Sequence, residues 1–159
     1  MMRLRIIRCV NMSVKSKPQL RRANSVILDP EQEQKVITAL SLLTEPVVIS
    51  IHSNQWDSPA TQAIQDLVNF TVSLMPERIS SELIETRDPS ALDPTVTIRN
   101  REGHVFGVQF IGAPSGLEYR AFIDAVVAST STADLSPMWS RLLQEIHHPV
   151  KATIFVSPT

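Results

Sequence analysis

Cysteine is nearly missing from this chain: Cys9 is the single one among 159 residues. A lone thiol excludes an internal disulfide and any four-cysteine zinc site, and it fits a reducing compartment. Glycine is scarce too, and all four glycines fall between positions 103 and 116. None stands in the G-x-G-x-x-G or P-loop spacing of a phosphate cradle. Long apolar runs are lacking as well. The longest, Pro46-Val-Val-Ile-Ser-Ile51, has the length of a buried strand and falls far short of the roughly 20 residues that a membrane span needs. The sequence therefore reads as soluble and cytoplasmic, without a membrane partner. With 43% hydrophobic and 19% charged residues, the length suits one compact domain with an ordinary core.

Acidic residues are absent before Asp29. Residues 1–28 hold seven of the fifteen basic residues, and the other eight face all sixteen acids. This basic segment is expected to be a disordered tail, or sequence upstream of a start at Met12. Its Arg-containing, acid-free beginning resembles a mitochondrial presequence only weakly. Nucleic-acid binding would call for a basic folded surface or interleaved aromatics, and the sequence offers neither.

From Asp29 onward the pattern is regular. Asp29-Pro30-Glu31 has the N-cap, the first-turn proline and the early acid of a helix start, and Val36, Ile37, Leu40 and Leu43 follow on one face before Pro46. Val47 to Ile51 reads as a strand covered on both sides. Ser58-Pro59 opens a second helix that carries Ile64, Leu67, Val68, Val72 and Met75 at helical spacing. Ile79 to Ile84 completes a βαβ unit, whose strands are expected to be parallel. Thr95 to Ile98, the turn Asn100-Arg101-Glu102-Gly103 and His104 to Ile111 then form a predicted β-hairpin. A helix from Ser115 places Tyr119, Phe122, Ile123, Val126 and Val127 on one face. Another, Ser136 to Ile146, does the same with Trp139, Leu142, Leu143 and Ile146. Gly103 suits a turn with positive φ, while Gly107, Gly112 and Gly116 are expected where a strand ends and a helix packs closely on the sheet.

A proline just before the third strand, in this order of elements, matches the layout of the thioredoxin-like fold. D-P-T-V-T-I-R-N-R-E-G (93–103) is similar to the thioredoxin-family stretch in which a cis-proline precedes the hairpin, with Pro94 as the candidate. G-V-Q-F-I-G-A-P-S-G-L-E-Y (107–119) is more specific. It resembles the G-x-x-F-x-G-x-P-x-G-x-E-[FY] stretch in the first unit of tandem glutaredoxin-like protein disulfide oxidoreductases, and in the N-terminal domain of the flavoprotein subunit of alkyl hydroperoxide reductase. The similarity continues through A-D-L-S-P (133–137) into A-T-I-F-V-S-P-T (152–159). The resemblance implies an α/β sandwich with a mixed four-stranded sheet and flanking helices. It divides the chain into a tail at 1–28, a thioredoxin-like unit at 29–148, and at 149–159 the first strand of a second unit. In the resembling families C-P-x-C follows that strand. Either the chain is a fragment of such a protein or it is a remnant without the catalytic half. The strand at Ala152 to Val156 is expected to be disordered, to lie loosely on its own domain, or to pair with a neighbouring chain.

Dithiol exchange needs two cysteines between the first strand and the following helix, where the helix N-terminus lowers the pKa of the first thiol. This chain has H-S-N-Q-W-D-S-P-A-T (52–61) there. Trp56-Asp57-Ser58-Pro59-Ala60 resembles W-C-G-P-C with Asp57 and Ala60 in the cysteine positions, a degenerate active-site loop in which Asp57 and Ser58 cap the helix. For Glu118 the resemblance implies a carboxylate near the interface with a second unit; by itself it reads as a first-turn glutamate stabilised by the helix dipole. Cys9 has no partner thiol. His147-His148 beside Glu145 reads as a helix cap, because adjacent histidines diverge and a third metal ligand would have to come from elsewhere. His52 has no nucleophile context. No catalytic residue, metal or cofactor is expected. The expected partner is a second thioredoxin-like unit, in cis or in trans, or a protein or peptide substrate. The alternative is a stand-alone peptide-binding or scaffolding protein that uses the groove beside Pro94 and Trp56.

Overall fold

The computed structural model describes residues 28–86, 92–131, 136–147, 150 and 152–154. Cys9, Met12 and the tail through residue 27 lie outside these residues, as do residues 133–135, His148, Pro149 and 155–159. The order of elements is α1 (Pro30–Leu40), β1 (Val47–Ser53), α2 (Pro59–Leu74), β2 (Ile79–Glu85), β3 (Thr95–Asn100), β4 (Val105–Ile111), α3 (Leu117–Ala128) and α4 (Pro137–Gln144). The helix starts follow from local chemistry. Asp29 accepts the Gln32 amide at 2.8 Å, while the Gln32 side chain accepts the Asp29 amide at 3.1 Å. That reciprocal capping box starts α1. Ser58 caps α2 by accepting the Thr61 amide, without the reciprocal bond, and Pro59 stands in the first turn.

The four strands make one mixed sheet in the order β2-β1-β3-β4. β1 runs parallel to β2, with Ile49 opposite Ser81, and antiparallel to β3, with Ile49 opposite Ile98. β3 and β4 are antiparallel around the turn at Gly103, where φ is +91°. Their pairing is interrupted between Thr97 and Arg99 by a bulge that contains Gly107 at φ +76°. The expectation of close packing at Gly107, Gly112 and Gly116 fails. A Cβ added at any of the four glycines would meet nothing within 4 Å, and each has positive φ. The glycines are there for backbone conformation and not for space.

Alternate residues of β1 separate two faces. Val47, Ile49 and Ile51 join Val96 and Ile98 of β3 and Ile79 of β2 in the core, together with α1 (Leu40), α2 (Ile64, Val68) and α3 (Phe122, Val126). Phe110 meets Phe122 edge to face at 5.3 Å. The Tyr119 hydroxyl joins the Thr71 hydroxyl at 3.1 Å and so ties α3 to α2. α4 departs from expectation: its apolar face is present, but none of its residues is buried. Ala152, Thr153 and Ile154 are exposed and belong to no strand.

The other face of the sheet contributes nothing to this core and carries a polar row. Arg99 of β3 donates from Nε to Glu82 Oε1 at 2.9 Å and from Nη2 to Oε2 at 2.7 Å, and Ser50 of β1 donates to the same carboxylate at 2.6 Å. Hydrogen bonding from Arg99 holds the Glu82 carboxyl below its ordinary value of 4.5, against the opposing effect of burial. A lowered carboxyl pKa contributes stability above 4.5, which is lost as the pH falls through the folded-state value. Glu82→Gln should therefore lower stability at pH 7 by about 1–3 kcal/mol and flatten the acid dependence. Urea unfolding of both proteins between pH 3 and 7 checks this; parallel curves would show that Glu82 titrates as in the unfolded chain.

Candidate functional site

The end of β1 opens onto a loop with three neighbours. Ser53, the last residue of the strand, is fully buried, and the loop Asn54 to Asp57 carries the chain to the cap of α2 at Ser58. Trp56 lies half-buried against the core. From the other side comes the segment before β3: the Asp93-Pro94 peptide bond is cis, and the Asp93 carboxylate accepts the Asn54 amide at 3.3 Å. The Pro94 carbonyl accepts the Gly112 amide at 3.0 Å. The loop after β1, the proline segment and the exit from β4 thus meet at one end of the sheet.

A chain of hydroxyls occupies the start of α2. Ser58 Oγ accepts the Thr61 amide at 3.1 Å and lies 2.9 Å from Thr61 Oγ1, which lies 3.0 Å from Ser53 Oγ. Ser53 Oγ also accepts the Gln55 amide at 3.0 Å. The side chains that meet are those of Ser58 and Thr61, at the cap and third helical positions, whereas Asp57 precedes the cap and is exposed with Ala60. S-P-A-T (58–61) therefore has the spacing of C-P-x-C with a hydroxyl at each end. The sequence signal was the i, i+3 pair around Pro59, which a reading anchored on Trp56 passes over. Pro59 supplies the first turn of α2.

His52 adjoins this site on the polar face of β1, with Nε2 2.9 Å from Thr97 Oγ1. Burial lowers its pKa below the ordinary 6.5, although Glu82 pulls in the opposite direction. Glu118 lies in the first turn of α3, where its amide donates to the Ser115 carbonyl at 3.2 Å. Its carboxylate has no hydrogen-bonding or ionic partner among the described residues, so no polar interaction joins it to the loop at Trp56. No group of three or more His, Cys, Asp or Glu side chains among the described residues is placed to hold a metal ion. No described helix is long and apolar enough to cross a membrane.

Two measurements probe this arrangement. Ser58→Ala removes the cap of α2 and should cost about 1 kcal/mol in urea unfolding, while Ser58→Asp, which keeps an acceptor, should cost less than half as much. His52 has a lowered pKa, so its contribution is complete above 6.5 and is lost as the pH falls below that value. His52→Gln should therefore remove part of the fall in stability below pH 6.5; an unchanged slope would show that the imidazole titrates freely.

No protein-family model and no curated protein matches the sequence. Solved structures do match in shape. The alkylhydroperoxide reductase AhpF of Enterococcus faecalis superposes with a TM-score of 0.63 at 20% identity, over 72% of this chain and 58% of that one. The NTD N/C domain of the same reductase gives a TM-score of 0.63 at 20% identity, over 72% and 59%. A protein disulfide oxidoreductase from Aeropyrum pernix gives 0.59 at 16% identity, over 77% and 58%. The chain thus spans under two thirds of the length of each of these structures. Four helices and an open, mixed four-stranded sheet among the described residues, with these matches in shape, make this chain a thioredoxin-like α/β fold.

Proposed function

We infer that this chain is a thioredoxin-like domain without thiol chemistry of its own, the non-catalytic half of a thiol-disulfide oxidoreductase that serves redox homeostasis in the reducing cytoplasm. The observation that carries the reading is the S-P-A-T segment, where dithiol exchange would need a pair of thiols and Ser58 and Thr61 instead present hydroxyls 2.9 Å apart. A thiolate attacks a disulfide sulfur and departs as a leaving group. An alkoxyl oxygen cannot replace it, and residues 10–159 contain no cysteine. The structural neighbours, a peroxide reductase and a disulfide oxidoreductase, support the redox context, and their greater length leaves room for a second unit. On this reading the loop of Trp56 to Ala60 is a degenerate active site. Its partner is a second thioredoxin-like unit, in cis or in trans, and Glu118 faces the interface between them.

One observation favours a second reading, docking of an extended peptide beside Pro94. Leu92, two residues before Pro94, is 61% exposed, and Leu117, at the start of α3, is 85% exposed. Both offer exposed apolar contact, and Leu92 adjoins Asp93, which holds the loop of Trp56 through Asn54. Binding of a peptide to the isolated chain, unaffected by a thiol blocker and lost in Leu117→Glu, would support this role.

The oxidoreductase reading makes two expectations for a turnover assay on insulin disulfides. The chain should give no rate above the enzyme-free background, with or without Cys9→Ser. In the Cys9→Ser background, Ser58→Cys with Thr61→Cys places two thiols where the Ser58 and Thr61 hydroxyl oxygens lie 2.9 Å apart. That variant should form an internal disulfide on oxidation, seen as the loss of two hydrogens by intact mass, and should reduce insulin. Activity of the parent chain would sink the reading, and failure of the double variant to close a disulfide would show that S-P-A-T is not the site of exchange.

A further inference from the structure

We draw no further inference here: the strongest candidate, the exposed apolar face of α4 carried by Met138, Trp139, Leu142 and Leu143, has no buried residue, and nothing in the structure shows what covers it.

Discussion

The central position of β1 is the constraint on which the rest of the molecule depends. The strand is hydrogen-bonded on both sides, and six of its seven residues are buried. Because β2 runs parallel to β1, the chain between them must cross over the sheet, which is the task of α2. Because β3 runs antiparallel, the remaining strands follow as a hairpin. Placing β1 at the centre also sets where chemistry can sit. Its carboxyl end delivers Ser53, the Trp56 loop and the first turn of α2 to the place where the Asp93-Pro94 segment enters the neighbouring strand β3.

A hydroxyl pair at that place is stable for the same reasons that a thiol pair would be reactive there. The free amides at the start of α2 favour an acceptor, and Ser58 supplies one as a cap. Thr61 is fully buried, and its hydroxyl is satisfied by Ser58 on one side and Ser53 on the other. No buried side-chain polar atom among the described residues lacks a partner. The pair thus anchors a helix to the strand before it, and its oxygen atoms are engaged in doing so.

Much of this was legible in the sequence because the signals are local. Asp29-Pro30 and Ser58-Pro59 mark helix starts by cap and proline chemistry, and both helices begin there. The near-continuous apolar run from Val47 identifies the central strand, and the change to strand periodicity after Asp93 identifies the hairpin. What escaped is non-local. Glu82 and Arg99 are 17 residues apart and on different strands, and nothing in the spacing of either announces the pair. Reading the loop from Trp56 puts Asp57 and Ala60 forward, whereas helix geometry brings together the side chains of the cap and the third position, Ser58 and Thr61. The apolar stripe of α4 was read correctly as a stripe, but periodicity cannot say whether a face is covered by its own domain. The glycines were located by sequence and explained only by their backbone angles.

The polar row of Ser50, Glu82 and Arg99 has a consequence for how the strands find one another. Side chains alternate between the two faces of a strand, so sliding β3 by one residue against β1 would turn Arg99 toward the apolar core. Glu82 would then remain on the opposite face as a carboxylate without its guanidinium, at a cost far larger than the net worth of the intact pair. Apolar residues such as Val96 and Ile98 tolerate exchange of one neighbour for another; a forked guanidinium on a single carboxylate does not. The row therefore acts as a key for alignment across three strands, penalising every misregistered sheet more than it stabilises the native one.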